Sequence, residues 1–158
     1  MAYKITTHEA GYQGIAITDT VQNHALGTLV WAEDPTYGGG QFVYLKGVAS
    51  TAVGDVVTIA TGHTTVRGVA AGRGRVAVAM SANVANQYGW YQVAGEAVVN
   101  AANTVVASTP AYLTATAGSV DDAVVVGDKI DGFVFSAART GAGTVTAMLS
   151  SPCANGNG

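Results

Sequence analysis

Apolar positions along the chain recur mainly with the two-residue period of β-strands. Phe42 and Tyr44 alternate with Val43, and residues 90–94 show the same alternation. Successive side chains of a strand point to opposite faces, so this pattern places the two aromatic rings together on one face. Helical periodicity is nearly absent. The chain is therefore predicted to be mainly β.

Glycine-containing turns separate the apolar runs at a spacing of roughly ten residues, which is typical of antiparallel sandwiches and small barrels. The predicted fold is a small antiparallel β-barrel or sandwich with an N-terminal arm. Further strands are predicted at residues 29–32, 56–60, 75–81, 97–99, 111–114, 133–136 and 144–149. One helical turn is predicted at residues 81–87, because Ser81 can cap it and Gly89 can end it.

The two ends of the chain differ from its middle. Residues 1–40 are predicted to form an N-terminal arm and loop that can bind a partner, because residues 1–27 hold only one alternating run, at 14–18, and a polar loop lies at 33–40. Residues 41–150 are predicted to form the β-barrel or sandwich domain. Residues 151–158 are predicted to be a polar tail.

A short internal echo relates two parts of the sequence. The phrase Val-Gly-Asp at residues 53–55 returns at 126–128, and residues 76–81 resemble residues 145–150. A Gly-Asp pair suits a tight turn, because glycine tolerates positive φ and aspartate accepts a local backbone N–H. Two interpretations are open: two similar hairpin units in one barrel, or convergence on a common turn.

Composition adds an unusually uncharged surface to this fold. Only 11% of the 158 residues are charged, against roughly 25% in an average soluble domain, and the net charge is −3. Nucleic-acid binding is not predicted, because the chain has no basic stripe to neutralise phosphates. No run of about 18 apolar residues occurs, and the N-terminus lacks an apolar signal region, so no membrane span or secretory signal is predicted.

Candidate catalytic and metal-binding residues are few. Cys153 is the single cysteine and cannot form an intrachain disulfide, so synthesis in a reducing compartment fits. His8, His24 and His63 have no convincing catalytic partner, and His63 is interpreted as part of a hairpin turn. His8-Glu9 lacks the helical spacing of a zinc peptidase, and one cysteine cannot build a thiolate site. No catalytic, cofactor or metal site is predicted.

Four aspartates, Asp121, Asp122, Asp128 and Asp131, are the strongest candidates for a calcium site or for paired-carboxylate catalysis. An apolar run at residues 123–126, predicted to be strand-like, separates them and breaks the ligand spacing of a calcium loop. A glycosidase pair would need two carboxylates facing each other across a groove. Solvated turn residues are the favoured interpretation, with a hydrolase as the alternative.

Arg67, Arg73 and Arg75 share a glycine-rich run. The run has no Gly-Lys-Ser/Thr phosphate loop and no following helix, which disfavours phosphate binding. A hairpin turn is the favoured interpretation. If the run is functional, its guanidinium groups suit the carboxylates of an acidic protein partner.

Aromatic residues keep a second function class open. Tyr88-Gly89-Trp90-Tyr91 resembles a sugar-stacking platform or an interface anchor, although aromatic side chains on alternating strand positions more often belong to a core. Together with Tyr37, these residues make a carbohydrate-binding module or a head-fibre or adhesin-like protein the alternative function.

Four phrases of the sequence carry a resemblance. They lie at residues 42–49, 53–58, 75–81 and 87–93, and the last, Gln-Tyr-Gly-Trp-Tyr-Gln-Val, is the most distinctive. Together they resemble the capsid decoration, or cement, proteins of tailed bacteriophages, over roughly Gln41 to Leu149. The resemblance implies a non-enzymatic virion protein that binds the outer surface of the mature capsid, commonly as trimers at capsomer junctions, and stabilises the capsid against the pressure of packaged DNA.

The expected partners are therefore the major capsid protein and further copies of this chain, assembled as a homotrimer. The expected location is the outer capsid surface, after synthesis in the host cytoplasm. Short, uncharged side chains lose little entropy when a partner covers them, and attachment at several points multiplies weak contacts. The N-terminal segment can also add a strand to a neighbouring sheet edge. The capsid or subunit interface is predicted at Tyr3, Ile5, Ile15, Ile17, Tyr37, Arg67, Arg73 and Arg75.

Overall fold

A computed structural model describes residues 3–6 and 11–156 of the chain. These residues form one continuous sheet of eleven strands, in which the strand pairings are antiparallel except for β3 with β5 and β7 with β9. The strands are β1 (Lys4–Ile5), β2 (Leu29–Asp34), β3 (Gly38–Lys46), β4 (Val56–Ala60), β5 (Thr64–Arg67), β6 (Gly74–Ala79), β7 (Tyr88–Ala101), β8 (Pro110–Leu113), β9 (Val120–Asp121), β10 (Lys129–Phe135) and β11 (Gly143–Ala154). The predicted mainly-β, barrel-like class is confirmed.

Hydrogen-bonded pairings close a first ring of five strand segments. Its order is β3, β5, β4, β6 and the first half of β7, which pairs back to β3. One side chain in two along each strand points into this ring, as the alternating sequence requires. The buried interior consists of Val43, Leu45, Val57, Ala77, Ala79, Tyr91 and Val93.

A second ring repeats the same strand order. The second half of β7 is followed around this ring by β9, β8, β10 and β11, and β11 pairs back to β7. Its interior includes Phe133 and Phe135, and Val76 and Val78 from the outer face of β6 belong to the same apolar cluster. The core of the second ring therefore extends onto the outer face of β6, while the first ring keeps a separate cluster inside it, and burial of these apolar side chains is the main stabilising term.

Gly95 allows the single strand β7 to serve both rings. Residues 88–94 pair with β3, and residues 94–101 pair with β11. Gly95 has φ +93°, and a Cβ atom there would lie 2.4 Å from the carbonyl oxygen of Gly39. Only glycine fits this bend, because other residues rarely adopt this φ and the space is filled by backbone.

The N-terminal segment, residues 3–6 and 11–34, packs on the outside of the first ring. β2 pairs with β3 along its whole length, and β1 pairs with β2. An apolar cluster fills the contact and consists of Ile15, Val30, Ala32, Phe42, Tyr44, Met80 and Trp90. β3 crosses the predicted domain boundary at residue 40, and β11 crosses the one at residue 150. Residues 29–34, 38–40 and 151–154 therefore belong to the sheet, and residues 35–37 form the turn between β2 and β3.

Three local predictions are corrected by the structure. Residues 81–87 contain a β-turn instead of a helical turn, because Asn86 has φ +64° and the Gln87 N–H donates to the carbonyl of Val84. Residues 123–126 form a loop instead of a strand. The arginine run at 67–75 is no hairpin, since it joins β5 to β6 on opposite sides of β4.

Two turn predictions have a different outcome. His63 lies in a 3-10 turn that joins the antiparallel strands β4 and β5, so its assignment to a hairpin turn is confirmed. The two Val-Gly-Asp phrases form similar turns, with Gly54 at φ +84° and Gly127 at φ +91°. These turns precede β4 and β10. Counted in chain order, β4 is the second strand of the first ring and β10 is the fourth strand of the second ring. The echo therefore reflects a common turn, and the repeated ring topology is a separate feature.

Candidate interaction surface

A loop of three valines projects from the second ring between β9 and β10. In this valine loop, residues 123–127, the exposed fraction is 76% for Val124, 46% for Val125 and 81% for Val126. Valine is usually buried, and exposed apolar residues are normally scattered singly. Three in succession form a continuous apolar knob. Gly127 and the flanking aspartates were the signals for a loop, but the apolar run outweighed them in the prediction.

Buried carboxylates hold the valine loop at both ends. Asp121 accepts a hydrogen bond from the backbone N–H of Ala123 at 3.1 Å. Asp128 accepts one from the backbone N–H of Ala71 at 2.6 Å, and its own N–H donates to the carbonyl of Val125 at 3.1 Å. These carboxylates accept hydrogen bonds from backbone N–H groups that would otherwise bind water. Contacts within the protein therefore fix the conformation of the loop.

Arg73 lies beside the valine loop. Its guanidinium donates to the carbonyl oxygens of Gly72 and Gly127, each at 2.8 Å, while the side chain stays exposed. The knob is therefore apolar with one adjacent cation. Since hydrogen bonds with Asp121, Asp128 and Arg73 restrict the loop, docking on it is expected to cost little conformational entropy.

Of the four aspartates, Asp121 and Asp128 border one depression together, whereas Asp122 and Asp131 do not line it. Asp121 and Asp128 are buried, with 9% and 6% exposed, so the prediction of solvated turn residues is wrong for these two. They are buried because backbone N–H groups satisfy their oxygens. Asp122 accepts from the backbone N–H of Val106 at 2.9 Å, and Asp131 lies further along on β10. These contacts show that Asp121, Asp122 and Asp128 stabilise turns and loops.

Three predicted interface residues line a groove beside the N-terminal segment. The groove has a volume of about 470 Å³ and is bordered by Tyr3, Gly14–Thr18, Val53 and Met80–Ala82. Ile17 is 49% exposed there, whereas Ile15 is only 2% exposed. Ile15 is therefore a core residue that fastens the segment to the first ring. Its assignment to an interface is corrected.

The remaining predicted interface residues are dispersed. Ile5 is half-buried against the cluster that includes Phe42, and Tyr37 is half-buried in a shallow depression. The charge of Arg67 is used within the chain, because its Nε lies 2.9 Å from Oδ2 of the buried Asp55. Arg75 is exposed on β6. The eight predicted residues therefore do not form one surface, and of these only Arg73 donates to the valine loop.

The tryptophans have opposite environments. Trp90 and Tyr91 are fully buried, which confirms their assignment to the core and removes them as a sugar-stacking platform. Trp31 is 55% exposed and shares the outward face of β2 with Leu29, which is 48% exposed. Trp31 was missed because it lies within an apolar strand, where sequence does not tell which face is covered.

A polar network fastens the N-terminal segment over the first ring. The hydroxyl of Tyr44 donates to the carboxylate of Asp19 at 2.5 Å, and both residues are buried. The amide of Gln13 joins Asp19 to the ring of His24. Burial first, and then the hydrogen bond to Asp19, raises the pKa of Tyr44 to about 12.

This tyrosine predicts a loss of stability in alkali. The pKa of Tyr44 is higher in the folded protein than in the unfolded chain. The contribution of its protonated hydroxyl to the free energy of unfolding is therefore complete below about pH 10 and is lost as the pH rises toward 12. Tyr44→Phe removes this ionisation, so the free energy of unfolding should fall less steeply over that range, while it drops at neutral pH by about 1 kcal/mol for the lost hydrogen bond. Urea unfolding at a series of pH values measures both effects. An unchanged alkaline slope would show that Tyr44 is not responsible.

The described residues give no indication of a metal centre or a membrane span. Within residues 3–6 and 11–156, no group of three or more His, Cys, Asp and Glu side chains is placed to hold a metal ion. The same part of the chain has no helix with the length and apolar character needed to cross a bilayer. In comparisons with known proteins, neither a protein-family model nor a curated protein matches the sequence.

Proposed function

We propose that this chain is a non-enzymatic structural protein of a tailed-bacteriophage virion, which binds the outer surface of the mature capsid and stabilises it as a decoration protein. The observation that carries the proposal is the valine loop. The loop exposes three valine side chains to water, which is unfavourable, and their burial under a partner would lower the free energy. Such a knob suits a binding surface better than a reactive site.

The rest of the surface supports binding by many weak contacts. Charged residues make up only 11% of the sequence, so little charge has to be desolvated when two surfaces meet. Large apolar side chains are also exposed away from the valine loop, at Ile17, Leu29, Trp31, Val53 and Met148. A capsid offers many symmetric copies of each site, so modest contacts of this kind add to high avidity.

Two partners follow from this chemistry. The major capsid protein receives the exposed knob, and further copies of this chain, assembled as a homotrimer, cover other apolar positions. Arg73 beside the knob favours a partner surface that places a carboxylate next to an apolar recess. The chain is synthesised in the host cytoplasm and ends on the outside of the shell.

Serines in place of Val124 and Val126 are expected to weaken binding to bare mature shells by at least about tenfold. The reason is that burial of each valine contributes roughly 1 kcal/mol or more, and 1.4 kcal/mol is tenfold in affinity. Co-sedimentation of the purified full chain with undecorated shells of the same phage measures the binding. Val21→Ser is the matched control, because Val21 is 66% exposed but lies in the N-terminal segment.

The possible outcomes test the proposed function and the proposed docking surface independently. Stoichiometric binding of the unaltered chain, with a higher melting temperature of the shells, supports a decoration protein. No binding of the unaltered chain contradicts the proposed function. Equal binding of the double-serine chain contradicts the assignment of docking to the valine loop.

A further inference from the structure

One carboxylate holds an amine and a carboxamide together at the end of the last strand. Oδ2 of Asp131 accepts a hydrogen bond from Nδ2 of Asn155 at 2.5 Å, and Oδ1 of the same carboxylate lies 3.5 Å from Nζ of Lys129. The function proposed above uses none of these groups. Their chemistry is that of a nucleophile, an acyl group and a proton carrier.

The register of the sheet places these groups side by side. Ile130 pairs with Ala154 between β10 and β11. Lys129 and Asn155 are the next residue on each side of this pair, and continuing the register one step past the end of β11 brings them opposite each other. Facing residues of an antiparallel pair lie on the same side, with Cβ atoms about 5 Å apart. Asp131 follows Lys129 by two residues and therefore shares that side.

Two neighbouring features fix this geometry. The β10–β11 pairing shifts register after Asp131, at Gly132, whose φ is +72° and where a Cβ would lie 2.5 Å from the carbonyl oxygen of Ser150. A bulge of this kind re-aims the adjacent side chains. On the other side, the guanidinium of Arg73 lies against Gly156, where a Cβ would come within 2.7 Å of it. The backbone that follows β11 is thereby held in place.

We propose that Lys129 and Asn155 form an isopeptide cross-link without any other reactant. The neutral amine of Lys129 attacks Cγ of Asn155, so that a bond between Nζ and Cγ forms and the bond between Cγ and Nδ2 breaks. Nδ2 leaves as ammonia. The carboxylate of Asp131 accepts the proton lost by the attacking nitrogen and transfers it to the departing one. Amine and amide become a secondary amide plus ammonia, so the atoms balance.

The exposure of the site determines the conditions for the reaction. The side chains of Lys129 and Asp131 are 38% and 45% exposed, so water competes for both groups. Only a neutral amine is nucleophilic, and the reaction therefore accelerates with rising pH. Because both the amine and the carboxamide contact the Asp131 carboxylate, their effective concentration toward each other is high, as an intramolecular reaction needs. The cross-link is expected to accumulate slowly after folding.

The cross-link would fasten a strand of the second ring that also pairs with β6 of the first. β11 pairs with β6, β7 and β10, and Asn155 directly follows it. A bond to β10 prevents fraying of this terminal strand, which is where unfolding of a chain end begins. This inference does not depend on the proposed function.

Intact-mass measurement of the purified full chain tests the proposal. After incubation in mildly alkaline buffer, a growing fraction should be lighter by one ammonia, and tryptic digestion should yield a branched peptide that joins Lys129 to Asn155. Lys129→Arg keeps the positive charge but should abolish the product, and Asp131→Asn should slow it at least about tenfold. Thermal melting shows that both variants are folded.

Three results would overturn the cross-link. The first is an unchanged mass of the native chain after prolonged incubation. The second is ammonia loss to the same extent in Lys129→Arg with no branched peptide from the native chain, which identifies succinimide formation at one of the two Asn-Gly pairs, 155–156 or 157–158, instead. The third is an equal rate in denaturant, because an unfolded chain lacks the arrangement around Asp131.

Discussion

Replacing Asp55 with alanine is expected to lower the free energy of unfolding by about 3 kcal/mol. Asp55 is 2% exposed, and its carboxylate accepts hydrogen bonds from Arg67 Nε at 2.9 Å, from the backbone N–H of Ala52 at 3.0 Å and from Asn100 Nδ2 at 2.9 Å. Arg67 lies on β5 in the first ring, and Asn100 lies on the part of β7 that belongs to the second. The carboxylate therefore ties the two rings together, and its loss leaves three donors without their acceptor.

Urea unfolding followed by circular dichroism measures this loss. Glu33→Ala is the matched control, because Glu33 is an exposed carboxylate on β2 and surface substitutions usually change stability by less than about 0.5 kcal/mol. A loss below about 1 kcal/mol for Asp55→Ala would show that the contacts around Asp55 do not join the rings energetically.

The second large effect is expected at Trp90. Trp90→Ala should destabilise the protein by about 3–5 kcal/mol, because it leaves a cavity in a fully buried site. The indole contacts the rings of Tyr12, His24 and Tyr44, with centroids 5.8, 5.7 and 5.1 Å away. Its removal therefore loosens the N-terminal segment together with the first ring.

Trp31→Ala provides the matched comparison for Trp90, since the same side chain is 55% exposed on β2. Its cost should be well below that of Trp90→Ala. In each single-tryptophan variant, acrylamide quenching reports which indole water reaches: Trp31 should be quenched strongly and Trp90 weakly. Equal quenching of the two, or a larger loss of stability from Trp31→Ala, would contradict the described packing of the N-terminal segment.

Local periodicity was enough to predict eight of the eleven strands, but it missed the short strands β1, β5 and β9 and could not give the strand partners. Alternation around residues 42–46 and 90–94 gives β3 and the first half of β7 directly, because side-chain direction is a property of neighbouring residues. The closing of two rings depends on pairings between residues far apart in sequence, such as Lys46 with Thr64 and Ala101 with Val120. The bend at Gly95, which makes this arrangement possible, looks like any other glycine in a strand.

The candidate surface was predicted less well than the fold, and the reason is physical. An apolar run indicates burial, so residues 123–126 predict a strand, whereas the buried acceptors Asp121 and Asp128 hold them outside as a loop. The prediction of an interface at Ile15 failed in the opposite sense, because apolar alternation cannot distinguish a residue that binds a partner from one that packs in its own core. Arg73 was predicted as an interface residue because of its charge, and in the structure it lies beside the exposed valine loop.

Electron cryomicroscopy of bare mature shells mixed with the purified chain is the most direct test of its function. We expect ordered extra density on the outer face at capsomer junctions, with threefold symmetry and with residues 123–127 turned toward the capsid protein. Shells that stay bare at saturating protein, or density confined to the inner face, would contradict the account.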